Sequence, residues 1–293
     1  MRQYYMARNV ANPAIPVELT EAQFNEFFLE HIKLGSRGPT IKIPLFKLFN
    51  YILYVLHTGC QWHKLPIEKD TLGKPEISYI QVFKHCHQWI LNHSILASFI
   101  ASVGSLNDNN LLDVSILHGD GTATTAKKGG DNLGRNGHKH HKGDKVVAIC
   151  DRNCNVVAPF ITAAGNANEC PLFPEAFTKL KTIVKTLGIN IFGSTMSLDG
   201  GYDSKDNRKK IFNAGMIPNI NENKRNRKTT KRGRKRIFDK AIYEERFQTI
   251  ERVFAWEDKF KRLLLRFEFI SEIHYGLKCL AYTLINLRHF CKQ

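Results

Sequence analysis

Three acidic residues stand in local patterns that suit metal-dependent chemistry. Asp120 lies in HGDGT and Asp199 in SLDGGYDS, and each follows a short apolar run typical of a strand. Glu251 lies in RFQTIERVFAW, a stretch of helical character. Carboxylates at the ends of adjacent strands, faced by a third one from a helix, can hold two hard divalent cations. On a strongly basic chain, this set predicts metal-dependent cleavage or transfer of phosphodiesters.

A simpler interpretation of the same residues stays open at this point. Aspartate is common where strands end at turns, and the glycines beside Asp120 and Asp199 are turn signals. Two other acids of the same stretch, Glu245 and Glu257, compete with Glu251 for the role of third ligand.

Four strings in a fixed order carry a resemblance to a known family. They are FNYILYVLHTGCQWHKLP, DGT, DGGYDS and ERVFAWEDKFKRLLLRFE, and they extend over nearly the whole sequence. The short strings are weak signals alone, whereas their common order is specific. The chain resembles the DDE transposases of bacterial insertion sequences, in the IS-five-type group.

The resemblance implies a Mg²⁺-dependent enzyme, with Mn²⁺ as a possible substitute, that cuts transposon ends and joins them to target DNA. Asp120, Asp199 and Glu251 would be its catalytic metal ligands. Its partners would be double-stranded DNA, as terminal inverted repeats and target, and further copies of the chain assembled on DNA. Two alternatives remain: a structure-selective DNA nuclease, and a catalytically silent DNA-binding protein derived from a transposase.

The spacing around the glutamate departs from the family pattern, which is Tyr, two residues, Arg, three residues, Glu, six residues, Lys. Tyr243 and Arg246 keep their mutual spacing, but Glu251 follows Arg246 after four residues and Lys259 follows Glu251 after seven. Seven positions on a helix return close to the same face, whereas eight turn about 80° away. Arg246 and Lys259 are predicted DNA contacts whose roles this shift leaves open.

The charge of the chain is unevenly placed. The formal net charge is +16. Residues 1–112 hold 10 Lys/Arg and 8 Asp/Glu, whereas residues 113–293 hold 33 and 19. A chain this basic favours a polyanionic partner, although charge alone does not separate DNA from a ribosomal or membrane surface.

A basic run at residues 224–236 has nine Lys/Arg in thirteen positions and no acid. It is either a solvated loop or a DNA clamp, and these interpretations are compatible because such segments often order on phosphate. The predicted DNA-binding residues of the run are Lys224, Arg225, Arg227, Lys228, Lys231, Arg232, Arg234, Lys235 and Arg236.

A histidine-rich segment, GHKHHKGDK, suggests a metal site formed by His138, His140 and His141. No cysteine lies nearby at zinc-ligand spacing. We therefore favour a basic loop between the first two strands, which contacts phosphate through Lys139, Lys142 and Lys145.

The order of predicted elements indicates two regions. Residues 1–110 are predicted to be a small all-α DNA-binding region, with helices at 41–57 and 76–92 around a glycine-containing break. This pattern is typical of a helix-turn-helix and equally of an ordinary helical hairpin. Residues 104–112 are predicted to be a linker.

Residues 111–293 are predicted to be a ribonuclease-H-like catalytic domain, a mixed sheet flanked by helices, with a basic loop at 223–237. Strands are predicted at 114–117, 146–151, 156–163, 195–198 and 217–220, with helices at 171–187, 206–214, 239–265 and 269–290.

The sequence also predicts a cytoplasmic protein. No apolar run approaches the roughly 18 residues of a membrane span, and the N-terminus has no apolar core of a signal peptide. Seven cysteines at scattered positions fit reduced thiols better than a disulfide framework.

Overall fold

The computed structural model describes residues 13–35, 41–137, 140–223 and 236–291. The N-terminal part is all helical, as predicted. Its helices are α1 (Glu21–Phe27), α2 (Leu45–Thr58), α3 (Tyr79–Leu91) and α4 (Ser94–Asp108). Ser78 caps α3 together with Gln81 in a capping box, which explains why that helix begins where the sequence places a cap.

The connection between α2 and α3 is longer than a helix-turn-helix requires. It spans residues 59–78 and contains a 3₁₀ turn at Trp62–Lys64. Lys47 of α2 stabilises this connection through two ion pairs: its Nζ lies 2.6 Å from Glu68 Oε2 and 2.7 Å from Glu76 Oε2. A helix-turn-helix joins its helices by about three or four residues, so α2 and α3 form a different kind of helical pair.

The remainder of the chain forms a mixed sheet with helices around it. The strands are β1 (Ile116–Ala126), β2 (Gly134–Asn136), β3 (His141–Asp151), β4 (Val156–Ala164), β5 (Thr195–Leu198), β6 (Ile217–Ile220) and β7 (Leu265–Arg266). The helices are α5 (Phe173–Thr186), α6 (Lys205–Asn213), α7 (Lys240–Glu245), α8 (Ile250–Glu257) and α9 (Ser271–Leu287).

The principal strands lie in the order β4–β3–β1–β5–β6. β1, β3 and β4 are antiparallel neighbours, whereas β5 and β6 run parallel to β1. Residues 143–151 of β3 are buried at every position, so helices cover both faces of the sheet. The predicted ribonuclease-H-like arrangement, preceded by a helical region, is confirmed.

The N-terminal helices share a hydrophobic core with the sheet. α9 packs on α3, α4, α8 and β4. Asn286 of α9 joins these layers: its Oδ1 accepts from Val156 N at 2.8 Å, and its Nδ2 donates to Ser102 Oγ at 3.1 Å. The predicted division at residue 110 is therefore a change in secondary structure across which packing continues.

Three boundaries differ from the sequence-based prediction. α4 continues to Asp108, so much of the expected linker is helical. β1 extends to Ala126, which places Asp120 inside the strand instead of after its end. The long helix expected at 239–265 is broken into α7, a 3₁₀ turn and α8.

Within the described ranges, no single helix is long and apolar enough to cross a membrane. Only α3 and α4 taken together meet the test of length and composition, and a bend of 62° separates them.

Candidate active site

Asp120 and Asp199 lie on neighbouring segments of the sheet, Asp120 in β1 and Asp199 directly after β5. β1 pairs with β5 in parallel register, with His118 opposite Ser197, and β5 ends at Leu198. Asp120 follows His118 by two residues and Asp199 follows Ser197 by two, and the two carboxylates are close enough for the charge of Asp199 to raise the pKa of Asp120. The structure thus brings together the two aspartates that the sequence singled out.

One edge of β1 beside Asp120 has no partner among the described strands. β3 pairs with the other edge along residues 117–125. On the near edge, β5 pairs with residues 116–118 and β7 with residues 125–126. Among the described strands, none pairs with the stretch between them; Arg246 contacts Asp120 beside it, and α8 packs on β1.

The DGGYDS motif builds the turn that presents Asp199. Asp199 Oδ1 accepts a hydrogen bond from Gly201 N at 2.7 Å and so caps the 3₁₀ turn at Gly200–Tyr202. Tyr202 is fully buried beneath the turn. The buried Asp203 carboxylate accepts from Arg208 Nε at 2.9 Å, which ties the turn to α6.

Asp120 is a buried carboxylate with too little positive charge around it. Burial raises its pKa to about 7; the Arg246 guanidinium opposes that rise, and the charges of Asp199 and Glu169 add to it. Arg246 Nη2 donates to Asp120 Oδ2, and Gly121 N donates to Asp120 Oδ1 at 2.8 Å. A further cation near these carboxylates would stabilise the ionised form of Asp120.

α7 delivers Arg246 to this position. Asp239 caps the helix by accepting from Ala241 N and Ile242 N, and Asn219 of β6 holds Asp239 through two hydrogen bonds of 2.9 Å. Arg246 follows the last residue of α7 and is only 6% exposed. Its guanidinium faces the Asp120 carboxylate, and the phosphate contact of Arg246 stays a prediction.

Glu251 is not brought into a group with the two aspartates. It lies in the first turn of α8, exposed, and makes no hydrogen bond or ion pair with another described residue. In a continuous helix, the five positions from Arg246 to Glu251 would turn about 140°, whereas the four of the family pattern turn about 40°. The 3₁₀ turn at Arg246–Gln248 and the irregular backbone of Thr249 (φ −119°, ψ −89°) interrupt the helix at that point.

The two rival glutamates are both engaged in ion pairs. Arg152 contacts Glu245 through Nε at 2.9 Å and Nη2 at 2.6 Å. Glu257 is buried and accepts from Lys278 Nζ and Tyr282 O–H. Glu251 therefore remains the acid of this stretch that is free to bind, and its role as third ligand stays a prediction.

Two groups near Asp120 were missed by the sequence analysis. His118 lies on the same face of β1, fully buried, and burial together with Arg246 and Arg152 lowers its pKa to about 4. Glu169 follows β4, and its Oε1 lies 2.9 Å from Lys145 Nζ. The two-residue spacing from His118 to Asp120 could have indicated a shared strand face, but no local signal marks Glu169.

The predicted basic loop between the first strands is largely part of the sheet. β3 begins at His141, so Lys142 and Lys145 are strand residues. Lys142 is exposed, whereas Lys145 is buried and paired with Glu169. The expectation that Lys145 lies on a loop is wrong; His138 and Lys139 fall outside the described residues.

The basic run also falls mostly outside them, since residues 224–235 are not described. Asn223, which precedes the run, and Arg236, its last residue, both contact Asp203. Asn223 N donates to Asp203 Oδ2 at 3.1 Å, and Arg236 Nη1 donates to Asp203 Oδ1 at 2.8 Å. The run therefore begins and ends beside the turn that carries Asp199. Lys259, at the other end of the motif, is exposed.

The donor chemistry of the site fits a hard divalent cation. Asp120 and Asp199 offer carboxylate oxygens, the ligands that Mg²⁺ prefers. Their arrangement is incomplete, because no three His, Cys, Asp or Glu side chains in the described ranges stand as a metal-binding group. The Arg246 guanidinium bonds the Asp120 carboxylate that a bound cation would contact.

A comparison with known families identifies the domain. The profile of the family described as "Transposase DDE domain" matches residues 110–284. The chain belongs to this family. The match begins shortly before β1, and it includes Asp120 and Asp199. Membership in the IS-five-type group stays a prediction.

Solved structures and curated sequences add little. The chain is similar to the "Mos1 transposase paired-end complex with left transposon end", with 9% identity, a TM-score of 0.27, and coverage of 68% of this chain and 65% of that one. It is also similar to a "pre-cleavage Mos1 transpososome", with 10% identity, a TM-score of 0.27, and coverage of 86% and 79%. The chain thus spans slightly less than two thirds of the first neighbour. No curated protein sequence matches it.

The ion pair between Glu257 and Lys278 yields a stability prediction. Glu257→Gln leaves the Lys278 charge buried without a partner, which should lower the free energy of unfolding by about 3–5 kcal/mol. Glu251→Gln, at an exposed position, should change it by less than about 0.5 kcal/mol. Urea unfolding of both variants measures the difference. Equal stabilities would contradict the buried pair, and lost activity in Glu257→Gln would report on folding rather than chemistry.

Proposed function

We propose that this DDE transposase cuts the ends of its transposon and joins them to target DNA at the site of Asp120 and Asp199. The observation that carries the proposal is the proximity of these two carboxylates, one in β1 and one directly after the neighbouring strand β5. Family membership supports the reaction class, and the proximity of the two carboxylates supports this place for it.

Mg²⁺, or Mn²⁺ in its place, is the proposed cofactor, and Asp120 and Asp199 would hold it. Glu251, on the unpaired start of α8, is the proposed third ligand. When bound, two such ions activate the attacking oxygen and stabilise the leaving one. Arg246 orients the Asp120 carboxylate in the absence of metal and opposes the rise of its pKa that burial causes.

Two successive reactions fit the same site. Water attacks a phosphodiester at the transposon end, and the bond to the leaving 3′-oxygen breaks. The freed 3′-hydroxyl then attacks a phosphodiester of the target DNA, so that one bond forms as another breaks. The residues that hold the phosphate need not change, because only the nucleophile differs.

DNA would reach the site along the basic run. Asn223, just before the run, and Arg236, its last residue, both contact Asp203, four residues after Asp199. Residues 224–235 contain eight of the nine cationic side chains of the run, so the local charge favours the phosphate backbone. Sequence recognition of the terminal repeats would fall to the helical region, and assembly of several copies on DNA completes the proposal.

One observation supports a second candidate function. Glu251 is not assembled with the aspartates, which is what a catalytically silent DNA-binding descendant of a transposase would show. Metal-dependent nicking by the purified protein would dismiss that candidate. Joining of precleaved ends to a target would in turn dismiss a nuclease that stops at hydrolysis.

The aspartates carry the first functional prediction. Asp120→Asn and Asp199→Asn should each lower Mg²⁺-dependent nicking by roughly three orders of magnitude or more, because members of one catalytic unit fail together. DNA binding should stay nearly intact. Gel assays of nicking and of binding measure both properties.

Asp206→Asn is the matched control, since Asp206 is an exposed aspartate in the first turn of α6. It should cut DNA like the unchanged protein. Nicking above a trace in either variant of the aspartate pair would remove that residue from the site.

Glu251 carries the second functional prediction. Glu251→Gln should be inactive in nicking while it folds with normal stability, because the exposed carboxylate has no structural partner among the described residues. The same nicking assay, with thermal unfolding beside it, tests this. A Glu251→Gln enzyme that still cuts would show that the third ligand lies elsewhere.

The basic run carries the third functional prediction. Arg232, Arg234 and Lys235 can be changed to Ala, whereas Arg236 is left because it is paired with Asp203. Log affinity for duplex DNA falls with log salt by about 0.9 for each phosphate neutralised. The triple variant should therefore bind all DNA more weakly, with a shallower salt slope, and keep its preference for terminal-repeat DNA.

The control removes three exposed lysines of α5, Lys179, Lys181 and Lys185, which lie in a helix distant in sequence from the run. Binding isotherms at several salt concentrations compare the two triple variants. An unchanged slope in the first would make the run a solvated loop, and a lost preference for the repeat would make it a reader of sequence.

A further inference from the structure

We propose that an aromatic cleft between the helical region and the sheet region holds an unpaired nucleotide of the DNA substrate. The inference rests on the proposed function in one respect, since it takes DNA as the substrate. The cleft has a volume of about 610 Å³, and sites for small ligands span about 300–1,000 Å³. Both regions line it, chiefly through Trp62, His63, Tyr79, Lys128, Arg262 and Phe267.

The two walls of the cleft are held together by a contact between backbones. Gly59 ends α2 in the left-handed conformation (φ +70°), and a Cβ built on it would lie 3.1 Å from the Lys261 carbonyl carbon. The end of α2 therefore packs closely on the 3₁₀ turn at Lys261–Leu263. The Trp62–Lys64 turn follows Gly59 after only two residues, so this contact also places Trp62.

Arg262 orders the aromatic side chains of both walls. Its guanidinium carbon lies 5.1 Å from the centroid of the Phe267 ring and 6.0 Å from that of Trp62. Glu268 Oε1 accepts from Arg262 Nε at 2.9 Å and from Nη2 at 2.6 Å, which fixes the buried guanidinium. Rings that are held in place before a ligand arrives lose less conformational freedom when it binds.

Two rings of the cleft keep much of their surface exposed to solvent. Tyr79, the first residue of α3, is 40% exposed, and Phe267 is 38% exposed. Every nucleobase offers a flat π-face that stacks on such rings. In a duplex these faces are covered by the neighbouring base pairs, so the rings can stack only on a base that is unpaired.

The charge of the cleft suits a phosphate. Among the described residues that line it, none is acidic, and the exposed Lys128 lies two residues after the end of β1. Lys128 follows Asp120 by eight residues, which span at most about 30 Å even when fully extended. One turn of duplex DNA is longer, about 34 Å. DNA bound at the aspartates is therefore within reach of the cleft.

The test is the binding of an oligothymidylate of about ten nucleotides, a usual length for single-strand sites, by the full-length protein. Tyr79→Ala and Phe267→Ala should each weaken this binding about fivefold or more, the loss expected when one base–aromatic stack is removed. The affinity for a duplex of the same length should not change. Lys128→Ala should make the salt slope shallower by about 0.7, the value for one phosphate of a single strand. Fluorescence anisotropy at several salt concentrations measures these effects.

The matched controls are residues of the same types that do not line the cleft. Tyr54 is an exposed tyrosine of α2, and Lys127 is the exposed neighbour of Lys128. Tyr54→Ala and Lys127→Ala should bind the oligothymidylate as the unchanged protein does. Tyr79→Phe keeps the ring and should also bind normally, whereas Tyr79→Leu should bind as weakly as Tyr79→Ala. Thermal unfolding checks each variant, and the Tyr79 series is sufficient if Phe267→Ala does not fold.

Unchanged binding of the oligothymidylate by folded Tyr79→Ala and Tyr79→Leu would overturn the inference, because the cleft would then be only a seam between two regions. An equal loss of duplex binding would overturn it as well, since the cleft would then contact paired DNA. Asp120→Asn should bind the oligothymidylate normally although it does not nick. Failure of the nicking assays would therefore count against the proposed function, and failure of these binding measurements would count against the cleft alone.

Discussion

The architecture of the site depends on keeping negative charge in a place where water cannot solvate it fully. Asp120 is buried within β1, and Asp199 follows the neighbouring strand at the point where that strand stops. The effective penalty for burying an ion is several kcal/mol unless other charges compensate it. The protein meets this requirement with Arg246, brought in at the end of α7, and the compensation is only partial because the pKa of Asp120 remains near 7.

The surrounding elements maintain that arrangement. β3 supports β1 along nearly its whole length, whereas β5 and β7 touch only its two ends on the other side. The glycines of HGDGT allow close packing within the strand: a Cβ on Gly119 would lie 2.7 Å from Leu198 Cδ2. Asp203 ties the Asp199 turn to α6 and to both ends of the basic run. These contacts hold the part of β1 that carries Asp120 beside the turn that carries Asp199.

Much of this could be predicted from the sequence. Strands β5 and β6 lie at the predicted positions, where short apolar runs are bounded by turn residues. Helix α7 begins directly after its N-cap, Asp239. Local signals of this kind depend on neighbours along the chain. The sequence also predicted that Asp120 and Asp199 lie close together, although Asp199 follows the end of β5 whereas Asp120 lies inside β1.

What could not be predicted depends on contacts between distant segments. The helix break at Thr249 follows from fitting one extra residue between Arg246 and Glu251, and no local breaker residue marks it. The glycines beside Asp120 were interpreted as turn signals, yet they serve close packing in mid-strand. Glu169 meets Gly121 across 48 positions, and Lys145 meets Glu169 across 24, so neither contact leaves a pattern in the sequence.

The most direct measurement of the central claim is the position of Mn²⁺ in a crystal of the protein, located by its anomalous scattering. The account predicts a peak in contact with the carboxylates of Asp120 and Asp199, with Arg246 displaced from Asp120. A peak that touches neither aspartate, or an Arg246–Asp120 pair that persists at saturating Mn²⁺ with no peak beside it, would contradict the account.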